Sequence, residues 1–274
     1  MLRAISTHVF LRQRLHPGLL DTLAKSGAQG VEIFAARQHF DYTSKTHVKE
    51  IALWFAANPV QPFSMHMPLF GDTEMGRSGS PGINVVHPEK SRRIDAMDEV
   101  KRALETAEEM PLHYLVLHLG EREDRWSPRT LEHAMTAIEH LQAFARPLGV
   151  KLLLENIQNE VSEAANLVEI LRIGHFKEVG ICLDLGHAHL GSGIPATVAE
   201  LLPLIRSAHV HDNHGQRDEH LWPGTGTIPW PETMKELRTA PQLSAAVLEI
   251  HYQLEESPEQ VMSKAAETFN TLEL

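Results

Sequence analysis

"KLLLEN", residues 151–156, is an apolar run that ends on an acid, and "VGICLDLG", residues 179–186, repeats the arrangement. Both are apolar at consecutive positions rather than at alternate ones. That pattern marks strands buried on both faces, as in a parallel sheet covered by helices. Six further runs read the same way: "RAISTHVF" (3–10), "GVEIFA" (30–35), "PFSMHM" (62–67), "YLVLHLG" (114–120), "SAHVHD" (207–212) and "AAVLEIH" (245–251). Amphipathic segments separate them, at about 17–26, 46–57, 88–109, 128–146, 162–173, 196–205, 230–239 and 258–272. Pro17, Pro88 and Pro128 stand where first helical turns should begin, and Gly27 and Gly149 where helices should stop. Eight strand–helix pairs ending in a helix predict a (β/α)8 TIM barrel, with a doubly wound open sheet as the structural alternative. Nothing resembles an interdomain linker. Residues 1–274 therefore read as one barrel domain with its active site at the carboxyl ends of the strands.

The 274-residue length suits such a barrel, and a 42% hydrophobic composition provides for a large core. The net charge of −11 argues against nucleic acid as a partner, since that is gripped by neutralising phosphates. Small anionic ligands stay compatible, because a bound metal inverts the local field. Cys182 is the single cysteine, so no intrachain disulfide is available and the composition suits a reducing cytoplasm. The opening "MLRAISTHVFLRQRLHPG" lacks the pattern of a signal peptide, and no apolar run is long enough to span a bilayer, so no membrane partner is expected. The oligomeric state is left open, a homo-oligomer included. The unusual feature is a count of 18 histidines, whose positions must decide their meaning.

Charged or imidazole residues recur at the carboxyl ends of the strands, after apolar neighbours: His66, His118, Glu155, Asp184, His211 and Glu249. Residues two apart in a strand share a face, so an inward Glu155 carries Leu153 inward, Asp184 carries Cys182, and Glu249 carries Val247. Each alone has an ordinary reading. A strand histidine is commonly a hydrogen-bonded core residue, and a strand-end carboxylate is often a helix cap or an ion-pair partner. Together, six strands aim such residues at one point. Acids gathered at a barrel mouth repel and shift their pKa unless cations sit between them. The donors are imidazole and carboxylate without thiolate, which suits Zn2+, Mn2+, Fe2+ or Co2+ rather than a cysteine-rich structural zinc. "DLGH" adds His187, and "RDEH" adds Asp218 and His220, two apart on a loop. One ion takes roughly four to six ligands, so these candidates correspond to between one and three divalent ions per chain.

The order of these residues resembles the xylose-isomerase-like barrel superfamily, which holds sugar and sugar-phosphate isomerases and epimerases together with the endonuclease IV type of abasic-site nuclease. The resemblance runs from about residue 30 to 270. Its most specific stretches are "LLLEN" (152–156), "LDLGH" (183–187) and "DEHLWPGTGTIPW" (218–230). It implies a core metal site of Glu155, Asp184, His211 and Glu249. The trinuclear nuclease pattern would add His66, His118, His187, Asp218 and His220. In the ketose epimerases the position of His187 contacts substrate instead, and the two glutamates flank the reacting carbon. Where the nuclease has a stretch like His-Leu-Asn-Asp, this chain reads "HDNH" (211–214). With the acidic charge, that departure puts DNA in doubt.

The leading expectation is a metal-dependent isomerase or epimerase acting on a small sugar or sugar phosphate. Glu155 and Glu249 would exchange a proton with the carbon beside a carbonyl, through an enediolate that the metal stabilises. His187, Arg217 and Trp222 are the expected substrate contacts, although Arg217 also reads as an exposed loop arginine and Trp222 as a packed loop residue. The alternative is a multinuclear phosphoesterase or other hydrolase using the full ligand set. His209 shares a face with His211 but sits one layer deeper, as a core or supporting residue, and Asp212 points the other way. His214 either lines the pocket or faces water. Glu32 either approaches substrate or makes a barrel-wall ion pair, and Cys182 is a packing residue. The long Gly- and Ser-rich segment 68–88 is a candidate lid.

Overall fold

The computed structural model describes residues 1–71, 82–251 and 256–274. Eight parallel strands close into a barrel in sequence order: β1 (Leu2–Ser6), β2 (Gly30–Phe34), β3 (Gln61–His66), β4 (Tyr114–Leu117), β5 (Lys151–Glu155), β6 (Gly180–Asp184), β7 (Ile205–Val210) and β8 (Ala245–Leu248). Closure leaves no open edge, so the barrel replaces the doubly wound alternative. The helices are α1 (Pro17–Lys25), α2 (Lys45–Ala57), α3 (Lys90–Leu104), α4 (Pro128–Ala145), α5 (Ala164–Ile173), α6 (Leu185–Leu190), α7 (Ile194–Leu201), α8 (Trp230–Leu237) and α9 (Pro258–Thr271).

Local chemistry marks many of the helix starts. Ser44 caps α2 through His47 N, and Ser127 caps α4 ahead of Pro128. Ser257 and Gln260 make a reciprocal capping box at α9. Pro88 falls two residues before α3, which starts at Lys90. Gly149 takes a left-handed φ of 75° where the chain turns from α4 into β5.

The outward strand faces and the helices share one large apolar core. Inside the barrel lies a separate, thinner filling: Val116, Leu153 and Cys182 pack together, as do Ala4, Phe63, Ala245 and Val247. These are the residues that strand alternation turns inward beneath the polar strand ends. The strands stop earlier than the apolar runs suggest. β4 ends before His118, β7 before His211 and β8 before Glu249, whereas His66, Glu155 and Asp184 are the last residues of their strands. The expected helix over 196–205 is preceded by a short extra one, α6. It starts directly from Asp184, whose side chain accepts the His187 amide. Of the candidate lid 68–88, residues 72–81 lie outside the described residues; on either side of them Phe70 and Gly82 form an antiparallel bridge.

Candidate metal centre

Four fully buried side chains from four strand ends converge at the carboxyl mouth: Glu155, Asp184, His209 and Glu249, each with a ligand atom within 4.8 Å of the others. His209 Nδ1 is the hub. It lies 3.3 Å from Glu155 Oε1, 3.2 Å from Glu249 Oε2 and 3.7 Å from Asp184 Oδ2. The expected quartet had His211 in this place. The strand pairing explains the difference. A register shift between Ile181 and Cys182 advances β7 by one residue and brings Asp184, the last residue of β6, opposite His209 rather than Ala208. His209 therefore stands level with the acids, and His211 lies beyond the strand. Its Nε2 sits 3.0 Å from Asp184 Oδ2 and 3.1 Å from Oδ1.

Two further clusters flank the quartet. On one side His118 Nε2 lies 3.0 Å from Glu155 Oε2, and His66 Nε2 lies 3.5 Å from the same oxygen. On the other, Asp218 Oδ2 is shared by His187 Nε2 at 3.1 Å and His220 Nε2 at 3.0 Å. α6 delivers His187 toward the quartet, with Nδ1 3.5 Å from Asp184 Oδ1. His220 adopts a left-handed φ of 45°, rare for a residue with a side chain, and its ring stacks on His211 with centroids 3.8 Å apart. His211, His220 and Glu249 also approach one another closely enough to share an ion. A Cβ at position 186 would collide with the His211 ring, which accounts for the glycine in "DLGH".

The electrostatics follow from burial and mutual contact. Burial alone would raise the Glu155 carboxyl, but the imidazoles of His209 and His118 hold it well below the usual carboxylate range. Burial would also raise Asp184, and His187 and His211 outweigh it. His187 is pushed up to about 10 and His220 to about 9, because nearby carboxylates, Asp184 and Asp218 foremost for the first and Asp218 and Glu249 for the second, overcome the burial that would lower them. The acids in turn push His66, His187, His209 and His220 upward, whereas burial pushes His118 down. The donors also fit a divalent ion: hard carboxylate oxygens and imidazole nitrogens converge, and the buried Nδ1 atoms of His187 and His211 have no hydrogen-bond partner.

The two loop residues expected to contact substrate differ in placement. Arg217 has an 81% exposed side chain and reaches Glu219 at 3.2 Å, so it faces solvent at the rim. Trp222 is buried against α9, donates to Glu256 Oε2 at 3.2 Å and lines a groove with Lys264 and Thr268 instead of the mouth. These placements match the exposed-loop reading of Arg217 and the packed-loop reading of Trp222; a loop side chain is aimed by the loop's own fold, which strand alternation does not specify. His214 is half-exposed and pairs with Glu219.

Other supports carry faint signals in the sequence. Asn156, next to Glu155 in "LLLEN", clasps the backbone of Asp184 in both directions, at 2.7 and 2.9 Å. Asp212 is fully buried and accepts from the amides of Asn213, Gly224 and Ile228 and from the Trp230 indole, which ties down the loop bearing Asp218 and His220. Glu32 lies below the quartet, with His209 Nε2 3.2 Å from Oε1. An acid in a strand otherwise buried and apolar was its one clue.

A barrel of this topology, with His and carboxylate side chains from successive strand ends meeting at the mouth, defines a class as well as a fold. Residues 20–272 match the xylose isomerase-like TIM barrel family, and the chain belongs to it. Among curated relatives, fructoselysine 3-epimerase of Escherichia coli O157:H7 is 25% identical over 227 residues, covering 77% of this chain and 76% of that protein. An uncharacterized protein of Methanocaldococcus jannaschii is 30% identical over 161 residues, and the match takes in 55% of this chain and about half of that protein, 54%. The fold also superimposes on a D-tagatose 3-epimerase-like protein with a TM-score of 0.80 at 23% identity, covering 100% of this chain and 96% of the other. The IolI protein, solved with a zinc atom, matches with a TM-score of 0.82 at 18% identity over 99% of this chain and 98% of the other.

Proposed function

We propose that this protein is a divalent-metal-dependent epimerase or isomerase of a small ketose or its phosphate. The observation that carries the reading is that Glu155 and Glu249 approach the His209 hub from different strands, at 3.3 and 3.2 Å. Two carboxylates so placed serve opposite faces of one substrate carbon. Glu155, Asp184, His209 and Glu249 would hold the ion. The relative fructoselysine 3-epimerase supports the sugar assignment, and the His and carboxylate donors, with the zinc atom in the similarly folded IolI protein, support a metal of the Zn2+, Mn2+, Fe2+ or Co2+ type. When bound, the metal supplies Lewis acidity to a carbonyl and its neighbouring hydroxyl.

The chain's own groups do the proton work. His118 and His209 keep Glu155 ionised, able to take the proton beside the carbonyl and leave an enediolate. Glu249 returns a proton from the other face, which inverts the carbon. His187, held by the Asp184 cap and by Asp218, stands at the edge of the site where it can orient a hydroxyl. The acidic chain and its one buried cysteine fit a cytoplasmic enzyme.

The test is a ketose panel in deuterium oxide, followed by proton NMR. Wild-type protein loaded with Mn2+ or Co2+ should wash deuterium into the carbon beside the carbonyl of at least one ketose and convert that ketose. Glu249→Gln should keep exchange and lose inversion. If no ketose in the panel exchanges a proton, the reading fails.

A second reading is favoured by a specific observation: the flanking clusters of His66, His118 and Glu155 and of His187, Asp218 and His220 exceed what one ion requires. With further ions bound there the centre suits phosphoester hydrolysis. Plasma-emission metal analysis separates the two, since about one ion per chain supports epimerisation and two or three support the hydrolase. Abasic DNA in the same assay tests the nuclease form.

A further inference from the structure

We propose that Glu32 is a positioning residue of the metal centre, holding the His209 ring so that Nδ1 stays turned toward Glu155, Asp184 and Glu249. The inference rests on the metal reading given above. Glu32 lies on β2 and His209 on β7, so the contact crosses the barrel interior below the mouth. His209 Nε2 faces both oxygens of Glu32, at 3.2 and 3.3 Å. Ser64, the cross-strand neighbour of Glu32 on β3, donates to Oε2 at 2.8 Å and fixes the carboxylate from its other side.

An acid here is costly unless it has a task. Glu32 is 0% exposed, and Ser64 and His209 are the side chains in hydrogen-bond reach of its carboxylate among the described residues, with His66 acting on it from farther off. A buried carboxylate persists only where something cationic or a strong donor answers it. His209 is that answer. An imidazole that gives Nδ1 to a metal carries its proton on Nε2, and an acceptor opposite that nitrogen sets both the tautomer and the angle of the ring. Glu32 is the acceptor in reach. Without it the ring can turn over and present a carbon to the three acids. Since His209 stands between Glu32 and the mouth, Glu32 acts through the ring and does not approach substrate.

The experiment uses the full chain and Co2+ alone, so it needs no knowledge of the sugar. Glu32→Gln keeps size and shape and removes the charge. It should weaken Co2+ binding about 10–100-fold by competition with a chelating dye and shift the visible absorption of the bound ion. Ser64→Ala loosens the carboxylate without removing it and should weaken binding by a smaller factor. If Glu32→Gln fails to fold, Ser64→Ala decides. Wild-type affinity and an unchanged spectrum in a folded variant overturn the proposal. His209→Ala is run beside them. If it binds Co2+ as wild type does, the metal reading of the quartet falls; if it loses the ion while Glu32→Gln keeps it unaltered, only the role of Glu32 falls.

Discussion

At the scale of single residues, the site is a balance of buried acids and imidazoles. If Glu155 is the base proposed above, replacing it with Gln should cost about 10^2–10^4-fold in turnover while circular dichroism stays that of wild type. The histidines set the pH response of the metal-free protein. His187 and His220 titrate near 10 and 9 in the fold, above the free-imidazole value of 6.5. The stability their charges confer is fully present below about 6.5 and fades as pH rises toward those values. Asp218 is held low, by its hydrogen bonds to His187 and His220 against the burial that would raise it, and acts at the other end: its contribution is present above the free-carboxyl value and is lost as pH falls. The melting temperature of metal-free protein should therefore drop on going from about pH 7 to about pH 10. Zn2+ added near neutral pH should release protons into a weakly buffered indicator solution, because imidazoles must lose protons to become ligands. A flat melting profile over that range would contradict the charged state. The acids themselves were legible in the sequence, because a carboxylate after "LLL" or "ICL" breaks a buried strand's pattern in a way that alternation places inward. The choice between His209 and His211 was not, because it depends on how β7 registers against β6.

At the scale of elements, two short segments carry residues into place. α6 brings His187 inward only because Gly186 leaves room for the His211 ring. Gly186→Ala should lower stability by about 1–3 kcal/mol through that collision, measured by urea unfolding, and should weaken metal binding as His211 shifts. The loop from 212 to 230 depends on Asp212. Asp212→Ala strips the buried partners from the Gly224 and Ile228 amides and the Trp230 indole. Each orphaned donor costs about 1–3 kcal/mol, so the variant should melt well below wild type and lose activity through displaced Asp218 and His220. An unchanged melting temperature would show that the loop is held by other means. The pairing of Asp218 with His220 could be read from "RDEH", but not the inward swing of Asp212 or the placing of Trp222 against α9. Turn geometry and packing decide those, without a period to read.

At the scale of the whole molecule, the barrel presents eight strand ends to one point, and a ligand bound there ties β5, β6, β7 and β8 together. A metal that binds the folded state alone stabilises it by about 2.7 kcal/mol at a hundredfold excess over its dissociation constant. For a chain of this size that is several degrees, at roughly 2–4 °C per kcal/mol. Scanning fluorimetry should show the melting temperature rising with Mn2+, Co2+ or Zn2+ and falling back with a chelator. His209→Ala should remove most of the rise.

What the sequence alone determined was the number and order of the strands, the barrel they form and the acids that end them. Each of those rests on a local pattern, apolar runs bounded by turns, whose physical cause is burial on both faces. Only the tertiary structure decided that His209 is the hub, that Glu32 contacts it from beneath, that Arg217 faces solvent at the rim and that Trp222 packs against α9. Those outcomes depend on the register between strands far apart in sequence and on loops that pack against other elements. A shift of one position in such a pairing changes which side chain stands level with the acids of the mouth.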